Sequence, residues 1–378
     1  MSEFVKFYDI STTPFRFVYA TKQVISYSAT LYHAGTGSFT IVFPLDSELL
    51  NAVKINDILS YDGDWLMIES ISYNDTVITM SGCDLNGILR LRLTQPGGVG
   101  FNYATFADSN INTPATIGSM SGIDDYMAVE GTSEQCIKFY LDQNIISPDD
   151  SERVVPMVFR YSVGGSTVPA FYMARLEMLS DVVKKLCAVK SVYFGYRITA
   201  DIANNTLIFD LHTYRDLSSQ VILSPDWHSI ISYSYEHGIR DYNNVLEVES
   251  SDGVIITNTE DSNIIPEGIE RREAYASVNV ASSDSQYQTY VEELFTDKRE
   301  SRSFEFAVSA AEYGQRYTLG DFISYRDPAT REIESAQITA VDKSESNGEV
   351  SVKITLGNPR KKLLTRLRDR ITTDIIRR

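Results

Sequence analysis

Short runs in which apolar and polar side chains alternate recur along most of the chain. Phe39-Thr40-Ile41-Val42-Phe43, Leu207-Ile208-Phe209-Asp210-Leu211 and Val350-Ser351-Val352-Lys353-Ile354 are three of them. A period of two sends successive side chains to opposite faces, so each run can bury one face and leave the other wet, which is the pattern of a half-buried β-strand. The 23 tyrosines and 17 phenylalanines add to this, because aromatic residues pack well on a pleated surface. Turn clusters punctuate the runs: Gly35-Thr36-Gly37, Tyr61-Asp62-Gly63-Asp64, Asn204-Asn205 and Ser346-Asn347-Gly348. Asn347-Gly348 between two alternating runs predicts a hairpin, since both residues tolerate positive φ.

The runs group into regions. Residues 1–94 predict strands over 16–32, 37–43, 56–61, 64–72 and 75–82, a hairpin over 57–69 and one helical turn at 84–89. That is enough for a small barrel or split barrel. Residues 95–225 form a central α+β region with two lobes, 95–170 and 171–225. Gln95 to Gly100 is turn-rich, and Gly164-Gly165 marks another loop. Thr132 or Ser133 caps a helix whose Cys136, Ile137, Tyr140 and Leu141 share one face and which Pro148 ends. The apolar spacing of Ala174, Leu176, Met178, Leu179, Val182, Val183, Leu186 and Cys187 predicts a helix over 174–189, followed by a hairpin from Val192 to Tyr214. Residues 226–358 return to strands at 232–235, 244–249, 317–325, 335–343 and 349–356, with a short helix at 284–295. The fold class is therefore α+β and β-rich, with two small β-barrel-like domains flanking the centre. The two β regions are not repeats residue by residue, yet Asn56-Asp57-Ile58 and Gly320-Asp321-Phe322 each lead a strand–turn–strand pattern.

Composition excludes several classes. With 43% apolar and 22% charged residues among 378, the chain is too apolar for a disordered one. No apolar run approaches the roughly 18 residues of a membrane span, and MSEFVKFYDI has neither the basic nor the apolar part of a secretory signal. Cys83, Cys136 and Cys187 form no CxxC pair and read as reduced, buried thiols of a protein made in cytoplasm. The net charge of −17 argues against a protein that coats nucleic acid. Residues 360–378, however, hold eight Lys or Arg against two Asp, a balance of +6, which leaves −23 on the rest. A body and a tail of opposite sign are expected to meet different things.

Candidates for chemistry are few. His33, His212, His228 and His237 form neither HxH nor HxxxH, so no metal site is expected. Cys136 and Cys187 lie on apolar helix faces, where a small core residue is expected rather than a nucleophile. GxSxG, P-loop and GxGxxG patterns are absent. Asp149-Asp150-Ser151-Glu152 does not match an EF-hand loop. Asp62 and Asp64 beside Trp65 have the composition of a sugar site but read as a hairpin turn with solvated aspartates. No catalytic, cofactor-binding or metal residue is assigned.

Four segments, in order, resemble the baseplate-hub or tail-tip hub proteins (also called tail-associated proteins) of long-tailed bacteriophages, of siphophage type. They are Asp64–Ile71 running to Thr79–Leu89; Gly131–Asn144; the helix ending at Ala188 with Tyr193–Ile198 and Leu207–Leu211; and Tyr317–Ile323 with Ile354–Pro359. The resemblance spans roughly residues 15–360. It implies a structural, non-enzymatic protein of the virion tail tip, made in the host cytoplasm. Such a hub is a homotrimer in which each subunit supplies two barrel domains to a pseudo-sixfold ring. The ring joins the tail tube end to the tip and lets DNA pass in genome ejection without specific binding. The partners implied are a distal tail protein or the tail tube above, the tape measure protein, and tip or receptor-binding proteins. Longer members append a peptidase or glycosidase, and no such domain is expected here. A carbohydrate-binding adhesin, on the aromatic content and Trp65 or Trp227, is the alternative, with a cell-wall hydrolase behind it. The tail 359–378 predicts a basic amphipathic helix with Leu363, Leu367 and Ile371 on its apolar stripe and Arg366, Arg368 and Arg370 beside it. These six are the expected partner-contact residues, docking in the tail tip, with an unengaged helix and contact to an anionic membrane as the other outcomes.

Overall fold

The computed structural model describes residues 4–95, 127–161, 169–188, 194–227, 229–239, 242–261, 265–278, 281–283, 287–298, 301–327, 330–346 and 348–358. It divides into two compact units, one of residues 1–231 with 307–354, the other of residues 232–306 with 355–378.

The first unit opens with a meander: β1 (Val5–Asp9), β2 (Arg16–Thr21), β3 (Ser26–Tyr32), β4 (Ser38–Pro44), the short helix α1 (Ser47–Ala52), β5 (Ile58–Tyr61), β6 (Asp64–Tyr73) and β7 (Val77–Asp84). The alternating runs become strands near where predicted, except that 16–32 divides into β2 and β3; β1 and α1 are additional. Asp46 caps α1 by accepting from the Glu48 and Leu49 amides. The 57–69 hairpin forms through Ile58↔Met67 to Tyr61↔Asp64. A 3₁₀ turn, Leu85–Leu91, closes the run. Beneath the sheet lies an apolar layer of Phe7, Tyr27, Phe39, Ile41, Phe43, Leu66, Ile68, Ile78 and Met80.

The central region follows: β8 (Met127–Thr132), α2 (Ser133–Leu141), β9 (Met157–Tyr161), β10 (Pro169–Ala174), α3 (Leu179–Cys187), β11 (Gly195–Asp201) and β12 (Thr206–His212). Thr132 and Gln135 form a reciprocal capping box on α2, which passes into a π-helical turn, Asp142–Ile146, before Pro148. The predicted 174–189 helix is shorter. Ala174 belongs to β10, paired with Met127 of β8, and Leu176 sits exposed at φ 54°, so the helix starts only at Leu179. A left-handed leucine cannot lie inside an α-helix, and pairing with β8 outweighs the apolar spacing. The predicted hairpin is β11–β12, and β9 adds to β12 in parallel. The three cysteines are buried.

β13 (Ile222–Leu223), β19 (Phe322–Arg326), β20 (Ile333–Ser346) and the first part of β21 (Glu349–Asn358) complete this unit. The strand predicted from Tyr317 begins only at Phe322, because 318–321 is a turn with Gly320 at φ 92°. Neighbours in the sheet run β21-β20-β3-β4-β7-β6-β5-β1-β2, with β13 on β19 and β19 on β20. The 346–349 hairpin turn holds Gly348 at φ 80°, while Asn347 lies outside the described residues.

The second unit holds β14 (Ile230–Gly238), β15 (Val245–Glu249), β16 (Ile255–Thr259), β17 (Glu273–Ser277), α4 (Tyr287–Asp297), β18 (Ser301–Val308) and the end of β21. β14 neighbours β18, and β18 neighbours β21. A separate sheet, β16-β15-β17, packs Leu246 and Val248 against Tyr287, Val291 and Phe295 of α4. The protein is thus α+β and β-rich, as expected. The two small barrels do not appear as closed barrels: among the described residues the strands form open sheets, because the long strands β6 and β20 leave one neighbour for the next instead of curling back on their own meander.

Candidate functional site: a hydroxyl-lined sheet face and a turn built twice

In β3, Ser26, Ser28 and Thr30 alternate with Tyr27 and Ala29, which are buried. The same alternation in β4, β7, β20 and β6 sends Thr40, Ser81, Ser344 and Ser70 to the wet face. Register brings them into one line: Ser344 opposite Ser28, Ser28 opposite Thr40, Thr40 opposite Ser81, Ser81 opposite Ser70. A second row runs Ser346, Ser26, Val42, Thr79 and Ser72, and a third holds Asp342, Thr30 and Ser38. The Thr30 hydroxyl donates to Asp342. Five adjacent strands therefore present a face of short hydroxyl side chains with few charges. Such a face is wetted and small-featured.

Beneath and beside it the charges are paired. Asp64 is buried at the turn into β6 and accepts from Lys343 Nζ of β20 (2.8 Å), Arg197 of β11 (2.9 Å) and the Tyr27 hydroxyl (3.4 Å). Lys343 also reaches Asp62 (3.2 Å), and the Tyr61 hydroxyl donates to Glu345 (2.6 Å). Burial opposes the charge on Lys343, but Asp64 and Asp62 more than offset it and hold the ammonium above its ordinary range. The cluster ties the 61–64 hairpin, β11 and β20 together. The Asp62/Asp64 pair is thus a hairpin turn with one exposed and one buried carboxylate, both ion-paired to Lys343, and Trp65 packs on Tyr8 (5.8 Å).

The shared pattern around Asp57 and Asp321 is a shared structure. Asn56 (φ 72°) and Gly320 (φ 92°) are both left-handed. In the first copy the Lys54 amide donates to the Asp57 carboxylate (2.7 Å), the Asn56 amide to Ile68 O (2.9 Å), and the Ile68 amide to Asp57 O (3.0 Å). In the second, the Thr318 amide donates to the Asp321 carboxylate (2.8 Å), the Gly320 amide to Ile338 O (2.9 Å), and the Ile338 amide to Asp321 O (2.9 Å). Both aspartates are buried. Asp321 also holds Arg215 in a two-pronged pair (Nε to Oδ1 2.9 Å). Gly320 has a further reason to be glycine: a Cβ there would meet the His33 ring at 2.3 Å.

Of the residues expected to matter, Leu363, Arg366, Leu367, Arg368, Arg370 and Ile371 lie outside the described residues, as do Gly97 to Gly100 and Gly164-Gly165. Asp150 caps a single 3₁₀ turn, Ser151–Arg153. Trp227 is exposed with the Arg326 guanidinium over its ring. The sequence does not single out the hydroxyl rows. Their alternation was visible strand by strand, but the rows exist only once register is known.

The profile of the Siphovirus ReqiPepy6 Gp37-like protein family matches residues 12–358. Three solved structures share the fold. They are a 43 kDa tail protein of prophage MuSo2 from Shewanella oneidensis (TM-score 0.52, 11% identity, 95% of this chain and 97% of that one); prophage tail protein gp18 from Listeria monocytogenes EGD-e (0.54, 10%, 96% and 96%); and a tail protein from Neisseria meningitidis MC58 (0.51, 9%, 93% and 96%). No curated protein matches the chain.

Proposed function

Because the chain belongs to the Siphovirus ReqiPepy6 Gp37-like family and is a bacteriophage tail protein with a structural role, we propose that it is the hub of the tail tip. In this reading three copies form a ring at the tail tube end, and the hydroxyl-lined face of β3, β4, β6, β7 and β20 lines the channel through which DNA leaves. The observation that carries it is that face. Double-stranded DNA carries one negative charge per roughly 1.7 Å of axis and sticks wherever Lys and Arg line its path. A wall of serine and threonine on a chain of −17 net charge offers little to hold it.

The turn built twice supports the ring. Two equivalent strand–turn–strand units per subunit let three subunits present six equivalent positions to a sixfold tube. The regions 1–94 and 226–358 are then the two ring-forming, barrel-like domains, with 95–225 outside them. The tail 359–378 docks through Leu363, Leu367 and Ile371, with Arg366, Arg368 and Arg370, on neighbouring tip components: a distal tail protein, the tape measure protein or a receptor-binding protein. The reading assigns the chain no chemistry of its own and no cofactor.

The test is a triple substitution, Ser28→Lys, Thr40→Lys and Ser81→Lys, in the parent phage. Particles should assemble with normal tails and eject DNA more slowly, while glutamates at the same positions are tolerated. Wild-type ejection by the lysine variant would refute the channel assignment. Deleting 360–378 should leave the body folded and reduce tip completion; normal infectious tails would refute the docking role of the tail.

A further inference from the structure

A cleft that shares no residue with the hydroxyl-lined face holds about 230 Å³ of space within the first unit. Ile222 of β13 lines it together with Ser219 and Gln220 from the turn before that strand, Trp227, and Glu312 and Arg316.

Trp227 is exposed yet held in place. Pro225–Trp227 form a single 3₁₀ turn. The Asp226 amide donates to Ser224 Oγ (3.2 Å) and the Trp227 amide to Ser224 O (3.3 Å). Ser229, which also lines the cleft, donates through Oγ to Ser224 O (3.0 Å) and accepts from the Ser224 amide (2.8 Å). The Arg331 guanidinium donates to both oxygens of Asp226 (2.9 and 3.0 Å), and the Arg326 guanidinium stands 6.0 Å from the centre of the Trp227 ring. The indole nevertheless remains 60% exposed. A large aromatic surface that is already positioned loses little freedom when a ligand covers it.

Glu312 adds a demand of its own. One carboxylate oxygen accepts from Arg316 (3.0 Å); the other is buried and has no hydrogen-bond partner among the described residues. A buried acceptor left without a donor is costly, so a donor brought by a ligand is favoured there. Arg316 and Gln220, both exposed, supply donors at the same cleft. The lining therefore offers an aromatic surface, an acceptor in want of a donor, and donors beside it. A phosphate would meet the Glu312 carboxylate, and a purely apolar group would leave Glu312 and Arg316 unanswered. A sugar ring answers both, because it carries an apolar C–H face and a rim of hydroxyls that donate and accept.

We propose that this cleft binds one ring of a neutral saccharide. The C–H face stacks on Trp227, one hydroxyl donates to Glu312, and others accept from Arg316 and Gln220. For a phage tail protein the matching partner is a glycan of the bacterial surface. The site does not depend on the trimeric ring proposed above. About a dozen heavy atoms at ordinary ligand efficiency give a dissociation constant on the order of a few millimolar.

Saturation-transfer NMR on the full chain tests this with glucose, galactose, rhamnose, N-acetylglucosamine and N-acetylgalactosamine as probes. At least one should bind, with its ring C–H protons receiving most of the transferred signal. Trp227→Ala should weaken that binding about tenfold or more, Trp227→Phe should keep part of it, and Gln220→Ala should weaken it with the melting temperature unchanged. Trp65→Phe leaves Trp227 as the only indole and should bind as wild type does, with fluorescence that the sugar shifts and shields from acrylamide. Absence of binding by all five sugars overturns the proposal, as does binding that Trp227→Ala and Gln220→Ala leave intact. An indole already shielded from acrylamide in the sugar-free Trp65→Phe chain would give Trp227 to a protein contact and also overturn it. Each of these results leaves the hub reading standing, and a chain that binds sugar without forming trimers supports the cleft while the ring fails.

Discussion

Asp84, the last residue of β7, offers a sharp test of the core's electrostatics. It is 9% exposed, its Oδ1 has no hydrogen-bond partner among the described residues, and Gly37 packs on its Oδ2 side. Burial pushes its carboxyl up to about 7, with the Gly37 amide and Arg197 pulling the other way. The folded state therefore holds this proton more tightly than the unfolded chain, whose aspartate titrates near 3.8. Stability from this group is fully present below about 4 and is lost as pH rises toward 7, levelling off above. At about 1.4 kcal/mol per pH unit the ceiling is roughly 4 kcal/mol, and local relaxation lowers it. Asp84→Asn removes the charge and keeps the shape. Urea unfolding from pH 4.5 to 8.5 should show wild type losing stability with pH relative to the variant, with the variant ahead by about 1 kcal/mol near pH 4.5 and by about 2–4 kcal/mol at pH 8. Parallel pH profiles, or a variant less stable at pH 8, would show that Asp84 is ionised and paired, and would refute the reasoning.

Leu179→Asp places an unpaired charge in the fully buried first turn of α3 and should cost several kcal/mol, read as loss of the soluble folded chain; an unchanged melting temperature would mean the buried face is misassigned. Asn86→Ala should cost about 2–4 kcal/mol in chemical denaturation. The Asn86 amide donates to Gly35 O (2.8 Å) and its oxygen accepts from the Ile198 amide (2.8 Å), so both backbone groups would be left unpaired in the interior. Gly82→Ala should cost roughly 1–3 kcal/mol by the same assay, because a Cβ would lie 2.0 Å from Met67 O and 2.8 Å from the Glu69 amide, at the bulge between β6 and β7.

Sequence alone determined the local elements. Alternation placed β3 to β7, β11, β12, β20 and β21 nearly where they lie; Thr132 marked the start of α2; the 61–64 turn marked its hairpin; and the Asp57 and Asp321 patterns pointed to a repeat. These features are written in neighbouring residues, through side-chain period, capping and tolerance of positive φ. What joins distant strands was decided only in three dimensions. The Thr30–Asp342 contact spans 312 positions, β9 pairs in parallel with β12, and β10 takes Ala174 away from a helix that apolar spacing had extended back to it. Backbone hydrogen bonds are the same for every residue, so a strand carries no mark of its partner. The hydroxyl rows show the same division: alternation put Ser28, Thr40, Ser81 and Ser344 on one side of their own strands, and register alone aligned them into a single surface.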